Sequence, residues 1–514
     1  MGAPHVKVAI ELQARLFNNG TSFKADLLHR QARCTLQGYT MSVIDLKTCG
    51  VSFGTSGVRG LVDDLDNHIC YAFARAFIDS VGQPSALVIG HDLRPSSPRI
   101  AAACAQACRD LGIDLVYVGA LPTPAIAFYA MQLQIPSIVI TGSHIPFDRN
   151  GIKFYRAEGE ITKEDEASIL GASVNVPDQL NLAALPIIDA RASEAYLERY
   201  LNFFPIDLCE GMRVAVYQHS GVGRDLLADL FEKFGAQVIR LGRADVFVPI
   251  DTEAVRPEDV AQARLWAEQH TFDLIVSTDG DADRPLIGDE QGNWLRGDLV
   301  GVLCGKVLGV DTLVTPVSSN TVLEQSGWFK HTIRTRIGSP YVLAAMSSAK
   351  GIVAGYEANG GFLLASDIVQ NDSVLKALPT RDAILPMLAI IALAKKQSKP
   401  VSALVSMLPA RYTASDRIPG IATEWSQGII KSLNAGALSL YDLLDLDLGD
   451  VSTVDATDGF RTTFASGDIV HLRPSGNAPE LRCYVESDSA EAAQHLCTQV
   501  LANLERYYQA ASAS

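Results

Sequence analysis

Short apolar runs, each closed by a polar turn, punctuate this chain, and three stretches repeat one grammar: apolar strand, polar turn, amphipathic helix. The first stretch opens with Ala86-Leu87-Val88-Ile89-Gly90 and turns at His91-Asp92-Leu93-Arg94-Pro95. Its spacing then predicts a helix over 97–111 and a strand at Leu115-Val116-Tyr117-Val118-Gly119. The second runs from Arg213-Val214-Ala215-Val216-Tyr217 through Ser220-Gly221-Val222-Gly223 to a helix ending near Phe234 and a strand at Gln237-Val238-Ile239-Arg240. The third has Thr312-Leu313-Val314-Thr315-Pro316, then Ser318-Ser319-Asn320 and a short helix. Strands alternating with helices argue for layered α/β domains, and repetition at roughly hundred-residue intervals argues for related consecutive domains.

Beyond Arg417 the pattern changes to a helical start, a segment from Tyr441 to Asp450 rich in Leu and Asp, and short strands. The resulting fold class is α/β: three consecutive related mixed α/β domains followed by a C-terminal α+β domain. The boundaries fall at 1–50 for an N-terminal extension, 51–185, 186–296, 297–415 and 416–514. Residues 1–50 are weakly patterned, and Met41 offers a second plausible start, so this segment reads as an extension dispensable for the fold or as the product of a start placed too early, with a targeting role the lesser alternative.

A chain of 514 residues exceeds one ordinary core, which agrees with several domains. A formal net charge of −15 argues against nucleic acid or an anionic membrane as the main partner. It leaves room for an anionic small substrate held by a local arginine cluster. Nine cysteines include no CxxC pair, and Cys104 and Cys108 have helical core spacing. That usage suits a reducing, cytoplasmic setting. No apolar run reaches transmembrane length.

Four polar loops follow apolar strands and carry candidate chemistry. Thr141-Gly142-Ser143-His144-Ile145-Pro146 follows the buried-strand pattern Ile135-Pro136-Ser137-Ile138-Val139-Ile140, with Asn150-Gly151-Ile152-Lys153-Phe154 close behind. Serine is a weak nucleophile until a neighbour activates it, and here a histidine is adjacent and a lysine near. Asp279-Gly280-Asp281-Ala282-Asp283-Arg284 follows Phe272-Asp273-Leu274-Ile275-Val276. Its alternating carboxylates repel one another unless a hard cation such as Mg²⁺ or Ca²⁺ neutralises them. An EF-hand is excluded, because Arg284 stands where that loop needs glycine. Gly355-Tyr356-Glu357-Ala358-Asn359-Gly360-Gly361 offers two acceptors suited to sugar hydroxyls, although turn geometry explains its glycines equally well. Arg473-Pro474-Ser475-Gly476-Asn477-Ala478, with Arg482 beyond, has the donors of a phosphate cradle or of an ordinary hairpin turn. Phe53-Gly54-Thr55-Ser56-Gly57-Val58-Arg59-Gly60 is glycine-rich with one cation, a pattern that surface turns share.

Together, in this order, these loops resemble the α-D-phosphohexomutase superfamily of phosphomannomutases and phosphoglucomutases, from about Val51 to about Glu486. The resemblance implies four domains around one central cleft. It implies that Ser143 carries phosphate in the active enzyme and that Asp279, Asp281, Asp283 and a phosphoserine oxygen hold Mg²⁺. It implies that Glu357 and Asn359 read the sugar, that Arg284, Arg473, Ser475, Asn477 and Arg482 meet substrate, and that Arg59 and Lys153 flank the nucleophile. The implied reaction is reversible conversion of mannose 6-phosphate to mannose 1-phosphate through a hexose 1,6-bisphosphate, which also serves as activator. Lys153 is then the favoured general base with Arg59 as partner, and His144 is the alternative.

The chain departs from the commoner pattern in three loops. Gly142 stands in place of Ala and Ile145 in place of Asn. Asn359-Gly360-Gly361 replaces Ser-Gly-His, and Asn477-Ala478 replaces Thr-Glu. These differences bear on sugar choice and leave phosphoglucomutase or dual specificity as the nearest alternative, with a silent sugar-phosphate-binding protein further off. A nicotinamide dehydrogenase is disfavoured, since Ser220-Gly221-Val222-Gly223 lacks the full GxGxxG turn. The implied partners are hexose phosphates, with no nucleic acid or membrane, and the assembly a monomer or homodimer.

Overall fold

A computed structural model of the chain describes residues 34–36, 39–54, 57–370, 372–475 and 479–512. Within it the repeated grammar becomes a repeated topology. In the first domain, strand Ala86–His91 pairs in parallel with Asp114–Ala120 on one side and with Ser137–Ile140 on the other, and Arg149–Arg156 then adds antiparallel. The second domain repeats this with Arg213–Tyr217 between Gln237–Leu241 and Leu274–Thr278, followed by antiparallel Pro285–Gly288. The third repeats it with Thr312–Pro316 between His331–Thr335 and Val353–Tyr356, followed by antiparallel Phe362–Leu364.

This order dictates where the chemistry lies. In each domain the candidate loop leaves the carboxyl end of the third parallel strand, just before the chain turns back. Open α/β sheets place ligands outside those strand ends. Residues 141–146, 279–284 and 357–361 therefore occupy the same position in three related sheets.

The helices follow their sequence patterns closely. Ser97–Asp110 matches the amphipathic stretch over 97–111, Arg224–Lys233 precedes Phe234, and Val322–Gln325 is the short third helix. The strand leading to the sugar loop is Val353–Tyr356, which begins just after a turn at Gly351. Gly351 has φ of 84°, a left-handed turn that an extended strand cannot include.

The segment set apart as an extension is tied to the first domain at its C-terminal end. Strand Tyr39–Asp45 pairs antiparallel with Ser173–Pro177, with Met41 opposite Pro177, and Leu46 is fully buried. The remainder of that segment, residues 1–33 and 37–38, lies outside the described residues.

The second and third domains share one continuous core. Helix Ile384–Gln397 and helix Gly297–Leu308 belong to it, together with Tyr196 and Tyr200 from the connection after the first domain. The hydroxyls of those tyrosines donate to the two oxygens of buried Asp382 at 2.8 and 2.5 Å.

The fourth domain has a separate core beneath an antiparallel five-stranded sheet, ordered Tyr412–Pro419, Glu480–Ser487, Ile469–Pro474, Phe460–Phe464, Val451–Asp455. Leu481, Cys483 and Val485 belong to that core, so the alternation of the pleat turns Arg482, Tyr484 and Glu486 to the opposite face. Its links to the third domain are polar: Arg411 Nε and the Thr321 N–H donate to Glu486, and the Ile337 N–H donates to Asp458. Small polar interfaces of this kind permit domain motion. Among the described residues, no helix is long and apolar enough to cross a membrane.

Candidate active site

Ser143 stands at the mouth of strand Ser137–Ile140 with φ of 52°, an uncommon left-handed setting for a non-glycine residue. Arg94 holds the loop there. Its guanidinium donates to four carbonyls: Ser143 at 3.0 Å, Ile145 at 2.6 Å, Pro146 at 2.7 Å and Arg149 at 2.9 Å. Asp92 balances its charge at 3.3 Å and accepts the Gly142 N–H at 3.1 Å, while the Phe247 ring lies 4.1 Å from the guanidinium carbon. A Cβ on residue 142 would lie 2.3 Å from that carbon, which explains why glycine stands there.

The aspartate loop meets the serine loop directly. A Cβ on Gly280 would fall 2.5 Å from the Ser143 carbonyl oxygen, so glycine permits the approach. The Ser143 hydroxyl donates to Asp279 Oδ2 at 2.6 Å. Asp279, Asp281 and Asp283 are each at most 1% exposed, with carboxylate oxygens within 4.8 Å of one another.

Lys153, on strand Arg149–Arg156, donates to Asp281 at 2.6 Å and to Asp283 at 2.8 Å. Thr123 donates to Asp281 at 2.6 Å. Arg381 Nη2 donates to Asp283 at 2.8 Å, and its Nη1 donates to Glu357 at 3.0 Å. Arg381 thus joins the metal loop to the sugar loop.

Burial, followed by the charges of Asp281 and Asp283, pushes Asp279 well above the usual carboxylate range. Burial also opposes ionisation of Asp283, but Arg381, Lys153 and Arg284 outweigh it and hold that group well below the usual range. Burial works against the Lys153 charge too, yet Asp281 and Asp283 prevail and raise its pKa. Lys153, read as a general base, is therefore placed as an ammonium pinned between two carboxylates, without a lone pair for a proton.

His144 has the opposite setting. Burial first, then Arg284 and Arg59, push it well below its ordinary value, so it is neutral. Its Nδ1 lies 3.2 Å from the Ser143 hydroxyl oxygen and 3.1 Å from Arg284 Nη1. The Arg59 guanidinium makes no hydrogen bond or ion pair with the described residues, although the backbone of Arg59 pairs with Ser52 and Gly151. Burial, Arg284 and Arg381 lower its pKa to about 10, so it shares their space as an unengaged cation.

The donor set fits a divalent cation. Asp281 Oδ1 and Asp283 Oδ1 are buried without a hydrogen-bond partner, an arrangement that a hard cation relieves. Four carboxylates, Asp279, Asp281, Asp283 and Glu357, face four cations, Lys153, Arg284, Arg381 and Arg59. A phosphoryl group on Ser143 would add about −1.5 to −2 charge, which one divalent ion offsets.

Asn359 is 6% exposed, and its side-chain oxygen accepts the Gly361 N–H at 3.0 Å. Arg473, Ser475 and Arg482 stand apart on the fourth domain. Arg473 and Arg482 are cross-strand partners, Arg473 Nε donates to Asp458 at 2.8 Å, and Arg482 donates to Glu480 at 2.7 Å. Arg473 and Ser475 line a cavity of about 640 Å³ with Arg336, Lys431 and Asp458. Among the described residues no hydrogen bond joins this group to Ser143, and Asn477 lies outside the described residues.

Arg94 and Arg381 escaped sequence reading. Each did leave a signal: Arg94 belongs to a strand-end loop of the repeating grammar, and Arg381-Asp382 interrupts an otherwise apolar stretch.

Comparison with known proteins finds all four parts of one family description. "Phosphoglucomutase/phosphomannomutase, alpha/beta/alpha domain I" matches residues 50–178, domain II matches 194–292 and domain III matches 296–412. The C-terminal domain of the same description matches 437–503. A phosphomannomutase of Salmonella muenchen is 47% identical over 89% of this chain and 96% of its own length. A phosphomannomutase of Sinorhizobium fredii is 41% identical over 88% of this chain and 99% of its own. A crystal structure of a phosphoglucomutase/phosphomannomutase family protein from Burkholderia thailandensis has the same fold, with a TM-score of 0.70, 19% identity and coverage of 90% and 98% of the two chains.

Proposed function

The chain belongs to the phosphoglucomutase/phosphomannomutase family, and from that premise we infer that it is a phosphomannomutase interconverting mannose 6-phosphate and mannose 1-phosphate. The observation that carries this reading is the 2.6 Å contact of the Ser143 hydroxyl with a buried aspartate of a three-carboxylate loop.

Asp279, Asp281 and Asp283 are the residues that would hold Mg²⁺. When bound, the ion supplies neutralisation of phosphoryl charge and polarisation of the phosphorus–oxygen bond. The chain's own side chains do the rest. Arg473, Ser475, Asn477 and Arg482 grip the phosphate already on the sugar, and Glu357 and Asn359 orient the ring. Arg59 and Arg284 stabilise charge on the transferring group, as phosphoryl transfer requires positioning and electrostatics more than covalent help.

A free hexose hydroxyl attacks the phosphorus on phospho-Ser143. The new O–P bond forms as the Ser143 O–P bond breaks, giving the 1,6-bisphosphate. After the bisphosphate turns over in the cleft, the Ser143 oxygen attacks its other phosphate and regains a phosphoryl group. Of the candidates for the hydroxyl proton, His144 alone offers a neutral nitrogen beside the serine oxygen, a weak base because Arg284 donates to that Nδ1 and burial disfavours its charge, while Lys153 fixes the aspartates and offsets their charge. The fourth domain, with its own core and polar links, closes to keep water from the phosphoserine.

The test is kcat/KM for mannose, glucose and glucosamine 1-phosphates, with a trace of hexose 1,6-bisphosphate. A clear preference for the mannose compound supports this assignment. Equal or greater efficiency with glucose 1-phosphate replaces it with the phosphoglucomutase or dual-specificity alternative.

A further inference from the structure

Glu253 lies between strand Gln237–Leu241 and helix Pro257–Gln269, in a loop whose backbone is firmly held. Asp251 Oδ1 accepts the N–H groups of Glu253 and Ala254 at 2.9 and 3.2 Å. The buried Thr252 hydroxyl donates to the Asn359 carbonyl at 2.7 Å, welding this loop to the sugar loop. Arg296 Nη1 donates to the Glu253 carbonyl at 3.2 Å. The main chain of Glu253 is thus fixed to its own turn, to the 357–361 loop and to Arg296.

Its carboxylate is not engaged. Among the described residues it accepts no hydrogen bond and forms no ion pair. It lines the cavity between the second, third and fourth domains, with Arg296, Ser318, Ala358, His471 and Tyr484. Burial and Asp251 push its carboxyl above the usual range, while Arg296, Arg284 and Arg482 pull the other way. The cavity lining sets it between Ala358 of the sugar loop and Tyr484 of the fourth-domain sheet. The two sugar-reading residues seen in the sequence are partly engaged by contrast: Glu357 accepts from Arg381, and the Asn359 side-chain oxygen accepts the Gly361 N–H.

We propose that Glu253 is a further substrate-binding residue, whose carboxylate accepts hydrogen bonds from ring hydroxyls of the hexose phosphate. This rests on the phosphohexomutase reading above. A carboxylate is a strong acceptor for a neutral hydroxyl and repels a phosphate. Set beside the 357–361 loop, it repels phosphate from that part of the cleft and leaves it to the sugar ring. A rigid backbone around a free acceptor is the arrangement that favours such recognition, because little order has to be created on binding. At about 20 Å³ the cavity holds a water but no hexose, so the polar-linked fourth domain swings away to admit the sugar and closes again upon it.

The experiment compares wild type, Glu253→Gln and Glu253→Ala on mannose 6-phosphate and its 2-, 3- and 4-deoxy analogues, with Mg²⁺ titration and thermal unfolding alongside. Glu253→Ala should lower kcat/KM about ten- to a hundredfold, mainly through KM, with Glu253→Gln intermediate and the Mg²⁺ midpoint and Tm unchanged. For at least one deoxy analogue the penalty of the substitution should vanish, which identifies the hydroxyl contacted. Activity of Glu253→Ala within about twofold of wild type, or the same penalty on every analogue, overturns the proposal. A wild type inactive on all hexose phosphates overturns the phosphohexomutase reading itself, an outcome distinct from failure of Glu253 alone.

Discussion

Arg94→Lys isolates what orients the nucleophile loop, because it keeps the charge opposite Asp92 and removes the fork. The native guanidinium serves four carbonyls through two nitrogens, Pro146 and Arg149 from Nη1, Ser143 and Ile145 from Nη2. A lysine ammonium is a single point with three protons and cannot span both pairs. At least two buried carbonyls lose their donor, at about 1–3 kcal/mol each, so a loss of about 2–6 kcal/mol is expected. The cation–π contact with Phe247 weakens as well.

For a domain of this size that loss lowers the first thermal transition by roughly 5 °C or more. Calorimetry is the proper assay, since a four-domain chain need not unfold in one step. Activity should suffer beyond stability. Ser143 sits in a left-handed conformation that the clamp sustains, and a displacement of about 1 Å can cost a hundredfold in rate. We expect kcat to fall about a hundredfold at a temperature where the variant is fully folded, with a smaller change in KM. A variant with unchanged Tm and unchanged kcat would refute the role given to Arg94.

Other substitutions probe the remaining parts. Asp281→Asn should raise the Mg²⁺ concentration for half-maximal activity about tenfold or more, and an unchanged metal titration would remove this residue from the metal site. Lys153→Arg should retain measurable turnover where Lys153→Met has none, because the charge between Asp281 and Asp283 is what matters; equal loss in both would restore a proton-transfer role. His219 and His471 are buried against the Thr278 and Asp458 carbonyls, and burial pushes each down to about 4 from an ordinary 6.5. Between those pH values the unfolded chain binds more protons than the folded one, so stability is full above about pH 6.5 and declines as pH falls toward 4. Each contributes on the order of 3 kcal/mol over that span, and urea midpoints of His219→Gln/His471→Gln should be less steep in this pH range than those of wild type.

Much of the architecture was legible because buried strands in such sheets are written as apolar runs and their ends as polar turns. The serine and aspartate motifs were visible for that reason, each at the close of a run such as Ser137–Ile140 or Leu274–Thr278. Their convergence was not readable from periodicity, since it depends on how separate sheets face one another. The Gly280 approach to the Ser143 carbonyl is a contact of that kind. Arg94 and Arg381 were missed because a lone arginine in a turn carries no mark of the four carbonyls or two carboxylates it will serve. Gly142 looked like a departure in the serine loop alone, and Arg94 supplies its cause. Lys153 was grouped with the nucleophile in the sequence, and the structure places its ammonium on Asp281 and Asp283, residues about 130 positions away, whose charges govern its protonation.

The central claim is that the Ser143 oxygen carries the phosphoryl group between the two ends of a hexose. Mass spectrometry of the peptide containing Ser143, taken before and after addition of hexose 1,6-bisphosphate and then of excess mannose 6-phosphate, tests it most directly. The account predicts a gain of one phosphoryl group, about 80 Da, at Ser143 and its loss to the sugar within a single turnover. Full mutase turnover with Ser143 unmodified throughout, or with the phosphoryl group on another residue, would contradict it.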